Sequence, residues 1–554
     1  RNEWWGQYPI SFNAMSGSRL GAGLARRLVR NNIPASAVPT EQLVEVYKAL
    51  DDTNFKKFLG NDHNDTGNSR EIFCNNEIHL DKISVVGFDY DFTLCSYKTR
   101  LQRLIYSKAR DHLINSKLYP NDLLGKTGYD KRFAIRGLTF DTERGLLFKM
   151  GPNFKVDLNS VFKGRKRLEQ DEALSALGGN QHIRTRQSPD TLRGIFDQFS
   201  LAEACLLTDV CEYFYANNIS FSPSAVFEDV SSSIGFVHTS GLMHQTVMAN
   251  VEKYIHPSPK LRPLLEDMRG EVQTFIVSNS SFAYIDSGLR YILGDDWIDL
   301  FDVVSTEASK PKFYTSSDPF RQVDLSSPNR LNWNEVTNLK PGAAYSQGNV
   351  DDLMNMTGWN GQEVLYIGDH LFADLRSPAR TGGWWTGAII RELEHEIKVE
   401  SSEEYQLLSF RIQLVDELMR RIQWLPSQEM RLGTLLDQFE ADRKSIRNEM
   451  NKLINPNFGS IFVSAANSPS LFTTYMQRYV DVYTSRLENF LQYGMDYRFY
   501  PRARRVLPHE PVVQPEVVSN LLTSCLRKEV NKRDILLRTE LSFRHDDDDD
   551  DESI

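Results

Sequence analysis

Ile83-Ser-Val-Val-Gly-Phe88-Asp89-Tyr-Asp91-Phe-Thr93-Leu94 is the stretch on which the fold turns. Ile83 to Phe88 is a short, mostly apolar run of strand-forming residues, the pattern of a buried strand. Asp89 follows it at once. Two later runs end in the same way: Val272-Gln-Thr-Phe-Ile-Val277 in Ser278-Asn279, and Val364-Leu-Tyr-Ile367 in Gly368-Asp369. Strands that run out into polar or acidic residues predict an open α/β sheet, in which ligands sit at the carboxyl ends of the strands.

Working outward, Tyr97 to about Leu265 separates the first strand from the second and is long enough for an inserted domain, with helical signals near Leu201 to Phe214. After Arg391 the pattern is helical: Leu408, Ile412, Val415, Met419 and Ile422 alternate spacings of four and three, and Leu432, Leu435, Phe439, Ile446, Met450 and Leu453 partly repeat this. Two amphipathic helices packed on the core explain the pattern, and a coiled-coil contact with another subunit is the alternative. The expected organisation is an N-terminal helical segment over 1–70, a catalytic core over 71–98 and 266–395, an inserted cap over 99–265, a helical region over 396–515 and a tail over 516–554.

The chain has 554 residues, too many for one simple core. Hydrophobic residues at 40% and charged residues at 25% are ordinary for a soluble globular protein. No apolar run approaches the roughly 18 residues of a spanning helix, so no membrane span is expected. Net charge is −10, part of it in the run Asp546 to Asp551 with Glu552, which reads as a solvated tail or as an interaction tail for a basic partner. An acidic chain without a broad basic field is a poor nucleic-acid binder. The five cysteines include no CxxC pair, which argues against a disulfide or zinc framework and fits a reducing compartment. Up to Thr40 the only acidic residue is Glu3, against Arg1, Arg19, Arg26, Arg27 and Arg30, and Leu20, Leu24 and Leu28 share one helical side. That is the pattern of an organelle-targeting presequence or of an ordinary surface helix, so the expected location is mitochondrial, with cytoplasmic as the alternative.

Four elements in order carry the chemistry: Asp89-Tyr-Asp91-Phe-Thr93-Leu94, Ser278-Asn279, Lys310 in Ser309-Lys310-Pro311, and Gly368-Asp369 followed by Asp374. Each is weak alone, and the ordered set, with three elements on strand ends, is far more specific. A phosphomonoester dianion repels a nucleophilic carboxylate, so a cation must be close, and Mg2+ suits a shell of oxygen ligands. Asp89 can attack phosphorus, and Asp91 can protonate the leaving oxygen and then deprotonate water. Ser278 can hold phosphoryl oxygens, and Lys310 can stabilise charge on the transferring group. Asp369 and Asp374 can complete or orient the metal shell. Thr93, Asn279 and Ser280 are candidate substrate contacts in the same segments.

The set resembles the motifs of the haloacid-dehalogenase superfamily. It is more closely similar to the cytosolic purine 5′-nucleotidases and the 5′-nucleotidase domain-containing proteins. The resemblance runs from about Ile72 to His509 and includes Arg136-Gly137-Leu138, Phe199-Ser200-Leu201, Phe301-Asp302-Val303-Val304, Tyr366-Ile367-Gly368-Asp369-His370, Gly382-Gly383-Trp384, Phe458-Gly459-Ser460 and Pro508-His509-Glu510. It implies a Rossmann-like α/β core of the haloacid-dehalogenase type with an inserted cap and a helical C-terminal region. It implies Asp89 as nucleophile and metal ligand, Asp91 as acid/base with its carbonyl on the metal, and Asp369 as the third protein ligand. Ser278, Asn279, Lys310 and Asp374 match the remaining active-site positions, with Ser278 in place of a common Thr.

The resemblance also implies a substrate, a nucleoside monophosphate or other small phosphate ester. Phe199 matches a base-stacking aromatic and His238 a retained cap residue. Where the purine enzymes carry a base-reading Arg and Asp, alignment on Val237-His238 places Ser231 and Gly235, and Thr239 and His244 replace a Tyr and a Lys. IMP or GMP specificity therefore does not carry over. A regulatory or scaffolding protein of the same fold with weak or no catalysis, and a phosphotransferase, are the alternatives to a 5′-nucleotidase-like hydrolase. A homo-oligomer is compatible with the pattern.

Overall fold

A computed structural model describes residues 69–123, 128–183, 191–327, 330–422, 430–464 and 468–501, with backbone alone at 422 and 430–435. The arginine-bearing segment 1–40, Pro508-His509-Glu510 and the acidic tail lie outside the described residues.

Nine strands form the main sheet: β1 Phe73–Cys74, β2 Val85–Phe88, β3 Gln273–Val277, β4 Val303–Thr306, β5 Phe320–Gln322, β6 Ala344–Gln347, β7 Val364–Gly368, β8 Trp385–Ile389 and β9 Val482–Thr484. Their order is β1-β9-β8-β7-β2-β3-β4-β6-β5. The interior pairings from β9 through β6 are parallel, while β1 and β5 close the edges antiparallel. β2 is buried at all four positions, as its apolar run requires. Gly87 within it is a packing necessity, because a Cβ there would lie 2.1 Å from Cζ of Phe275 on β3. Phe88 stands level with Ile367 of β7 and with Ile276 of β3, so the three predicted strands end side by side.

The inserted segment holds the helices α1 Thr99–Lys117, α2 Ser200–Ala216 and α3 Pro223–Thr239, packed on one another. The helical signal at Leu201 to Phe214 lies inside α2. The segment also contains an antiparallel five-stranded sheet that the sequence reading did not foresee, in the order Lys166–Arg167, Phe162–Lys163, Leu146–Lys149, Leu138–Asp141, Leu192–Ile195. The turn between Leu138–Asp141 and Leu146–Lys149 is locally encoded. Asp141 Oδ1 accepts from the amides of Glu143 and Arg144, each at 3.0 Å, and Gly145 takes φ +66°.

The region expected to be helical over 396–515 contains α4 Glu403–Ile422 and α5 Met430–Ile454, which pack against each other. Ile412, Val415, Phe439 and Ile446 are buried, as the periodicity requires. The region is not wholly helical, however: β9 returns from it to the main sheet beside β8. A three-residue strand is too short to leave a periodic signal, and the pairing that defines it is remote in sequence.

Candidate active site

At the carboxyl end of β2 the Asp89 amide donates to the Ile367 carbonyl at 2.9 Å, extending the ladder by one residue and fixing the carboxylate beside β7. Lys310 Nζ lies 2.8 Å from Asp89 Oδ1 and 2.6 Å from Asp374 Oδ1. It also donates to the Tyr366 hydroxyl at 3.0 Å, which in turn donates to the Val277 carbonyl at 2.7 Å. The lysine head is therefore held by three groups, one from the end of β2 and two from β7 and the segment that follows it. Its backbone is held by Asn279, whose Oδ1 accepts from Lys310 N at 2.5 Å and whose Nδ2 donates to Lys310 O at 3.0 Å. Asn279, expected to touch substrate, is thus used to position Lys310.

Asp91 accepts from the Tyr97 and Ser280 hydroxyls, both at 2.6 Å. Ser278 is fully buried, and its Oγ accepts from the Ser280 amide at 3.3 Å. Thr93 Oγ1 is buried with no partner among the described residues, a polar atom left for a ligand or water. Phe92, between Asp91 and Thr93, has φ 56°, a left-handed backbone that a bulky residue adopts only when its surroundings impose it.

Asp374 Oδ2 accepts from the His370 amide at 3.1 Å. A Cβ on Gly368 would lie 2.4 Å from Cβ of Asp374, so glycine is needed for the aspartate to fold back onto the strand end. The Asp369 carbonyl accepts from Arg136 at 3.0 Å.

Oxygens of Asp89, Asp369 and Asp374 lie within 4.8 Å of one another. With Asp91 these make four carboxylates, against one lysine that reaches two of them. Arg136 is near but forms a bidentate pair with Glu392, at 2.8 and 2.7 Å. Burial is the largest influence on Asp89 and pushes its carboxyl up to about 7; Lys310 opposes this, and Asp374 and Asp91 add to it. Burial likewise raises Asp91 against the opposing hydrogen bonds from Ser280 and Tyr97. Burial raises Asp369 well above the usual carboxylate range despite Arg136. Lys310 is held above its ordinary range because Asp374 and Asp89 together outweigh the effect of burial. A surplus of buried, oxygen-only negative charge is a fit for a hard divalent cation. Asp89, Asp369 and Asp374 are the residues whose side chains the structure brings together for it; the Asp91 side chain is turned to Tyr97 and Ser280.

On the cap side, the Phe199 ring packs edge-on against Phe92 at 4.8 Å and against His238 at 5.3 Å. The two expected cap residues therefore sit together, and Phe199 touches the loop that carries Asp91. Burial, then His244, pushes the His238 imidazole down to about 4, and burial also lowers His244, so both rings are neutral near pH 7. Ser231 stands near Glu203 of α2 and opposes the rise that burial gives that carboxyl, and a Cβ on Gly235 would meet nothing within 4 Å.

The sequence reading missed Tyr97, Tyr366 and Glu392 as parts of this site. Tyr97 and Tyr366 stand close to the motif aspartates, and the only sequence signal was that proximity. Glu392 carries no local signal at all.

Comparison with known proteins agrees with this arrangement. The 5′-nucleotidase family profile matches residues 72–512. The chain is 37% identical over 468 residues to the human 5′-nucleotidase domain-containing protein 2, covering 83% of this chain and 88% of that one. The rat protein of the same name is 37% identical, covering 83% of each. A 5′-nucleotidase domain-containing protein of Dictyostelium discoideum is 34% identical over 478 residues, covering 85% of this chain and 79% of that one. Among solved structures, a magnesium-bound HAD hydrolase of Bacillus subtilis matches at 11% identity and TM-score 0.20, over 55% of this chain and 88% of that one. A haloacid dehalogenase-like hydrolase of Bacteroides fragilis matches at 15% identity and TM-score 0.21, over 55% and 87%. Those two likenesses are too slight to bear on the site. The curated relatives span most of the chain and the profile includes every strand-end residue described above, and on that ground the chain belongs to the 5′-nucleotidase family of phosphatases.

Proposed function

We propose that this phosphatase hydrolyses a nucleoside monophosphate or another small phosphomonoester through an aspartyl-phosphate on Asp89, with Mg2+ as cofactor. The observation that carries the reading is the convergence of Asp89, Lys310, Asp374 and Asp369 at adjacent strand ends, with Asp91 oriented beside them by Tyr97 and Ser280.

Asp89 Oδ1 is engaged by Lys310, while Oδ2 accepts no hydrogen bond from the described residues and is the oxygen free to attack phosphorus. As that O–P bond forms, the ester P–O bond breaks, and the proton of Asp91 passes to the leaving oxygen. Burial favours the protonated form of Asp91, the form that can give that proton. Asp91, now a carboxylate, takes a proton from water, whose oxygen attacks the phosphorus. The Asp89–phosphorus bond breaks and inorganic phosphate leaves. Lys310 and Ser278 meet the phosphoryl oxygens, where charge develops. Magnesium, when bound by Asp89, Asp369, Asp374 and the Asp91 carbonyl, supplies the positive charge that lets a phosphate dianion approach these carboxylates.

The test is turnover on a panel of phosphomonoesters in excess chelator and after magnesium is restored. Activity lost in chelator and regained with magnesium is the expected result, and full activity in chelator contradicts the metal reading. One observation favours a second reading, a scaffold of the same fold with little catalysis: α3 carries Ser231 and Gly235, which offer a base neither a guanidinium nor a carboxylate. No turnover of any ester by folded, magnesium-loaded protein would favour it.

A further inference from the structure

Arg136 reaches the core from the inserted segment with a side chain that is 0% exposed. Its fork is spent on Glu392: Nε donates to Oε1 at 2.8 Å and the second terminal nitrogen to Oε2 at 2.7 Å. The remaining nitrogen donates to the main-chain carbonyl of Asp369 at 3.0 Å, and stands 4.0 Å from Asp369 Oδ2. That distance allows Coulomb attraction and is too long for a hydrogen bond. Two carboxylates thus compete for one buried guanidinium, and one of them belongs to the acidic cluster.

The arginine cannot withdraw from this contest. Gly137 beside it takes φ +86°, donates to the Ile195 carbonyl at 2.6 Å, and lies so close to Phe472 that a Cβ would fall 2.8 Å from Cβ of that residue. The guanidinium carbon lies 5.3 Å from the Phe472 ring centroid. Glu392 is favoured by its place in the first turn of the Glu392–Glu400 helix. Gln198 Nε2 also donates to Glu392 Oε1 at 3.1 Å. Gln198 directly precedes Phe199, and its carbonyl accepts from Gln102 of α1 at 2.6 Å.

We propose that Glu392 is a positioning residue that holds the Arg136 guanidinium off the Asp369 carboxylate and so keeps that carboxylate available to a divalent cation. The proposal rests on the reading of Asp369 as a metal-binding residue. Without the charge on Glu392, Arg136 turns its fork to Asp369, and a cation must then displace a buried ion pair.

The test is Mg2+ binding without substrate, read by calorimetry and by the thermal shift that Mg2+ produces, on the wild-type chain, Glu392→Gln and Arg136→Gln/Glu392→Gln. Glu392→Gln is expected to bind Mg2+ roughly tenfold more weakly, the scale typical of outer partners of metal ligands. Its kcat at saturating Mg2+ should return towards the wild-type value. The double variant removes the competitor and is expected to bind Mg2+ more tightly than Glu392→Gln alone, an order that simple damage to packing would reverse. If Glu392→Gln does not fold, Glu392→Asp carries the same test, because the shorter side chain loosens its hold on Arg136 while keeping the charge. Equal affinity in Glu392→Gln and wild type, or a double variant weaker than the single, overturns the proposal. A wild-type chain that binds no Mg2+ removes the magnesium reading as well, so the two failures are told apart.

Discussion

Asp89 and Asp91 are two residues apart and meet different partners. Asp89 faces Lys310, an ammonium, and Asp91 faces two hydroxyls. Both are raised by burial, Asp89 to about 7 from an ordinary 3.8. A carboxyl raised in the folded state binds its proton more tightly there than in the unfolded chain. Its ionisation therefore works against the metal-free fold as pH rises from about 4 to about 7. Mg2+ needs the ionised form and competes with that proton. The thermal shift produced by a fixed excess of Mg2+ should accordingly be larger at pH 8 than at pH 5.5. Thermal melts at the two values check this, and a shift equal at both would mean that Asp89 is not titrating against the metal.

At the scale of the element, the site is made by strand ends, and two glycines decide how closely they approach. Gly87 makes room for the Phe275 ring, and Gly368 for Asp374. Gly368→Ala should push Asp374 off Lys310, costing about 1–3 kcal/mol of stability as overpacking does. Activity should fall further than the fraction of protein unfolded accounts for. A denaturant melt with parallel kinetics checks this, and normal activity in the variant would show that Asp374 is dispensable. In the cap, α3 presents Ser231, Gly235 and His238 on one face, at spacings of four and three. Serine cannot supply a guanidinium fork and glycine has no acceptor, and each lost pairing to a base edge is worth about 1–3 kcal/mol. Weak discrimination between IMP and pyrimidine or non-nucleotide esters is expected, and the double variant Ser231→Arg/Gly235→Asp should shift rates towards purines. A strong wild-type preference for IMP or GMP would contradict it. β2, β3 and β7 were legible because each is a contiguous apolar run ending in its functional residue. The five-stranded sheet of the insertion and β9 were not, since two- to four-residue strands carry no period and their partners are remote in sequence. Lys310 was legible only as a member of the ordered set, whereas its partner Tyr366 read as one apolar residue among others in β7. Glu392 acquires a role only through Arg136, 256 residues away.

Across the whole molecule, the main sheet is assembled from distant stretches of chain. β2 lies between β3 and β7, with the inserted segment intervening in sequence, and β9 arrives after the α4 and α5 pair. The described residues include no helix long and apolar enough to cross a membrane. For the segment 1–40 we propose a mitochondrial targeting role on its arginines and leucine side alone. A reporter carrying that segment, behind any residues that precede it, should enter mitochondria, and a reporter left in the cytosol would favour a surface helix. In the proposed reaction this organisation brings one carboxylate oxygen to a phosphorus atom, a covalent step that can be observed directly. Protein mixed with a 32P-labelled phosphomonoester and magnesium, then quenched in acid, should carry label that hydroxylamine releases, as an acyl-phosphate does. The label should be absent from Asp89→Asn protein that melts like the wild type. Turnover without any labelled protein, or label undiminished in Asp89→Asn, would contradict the account.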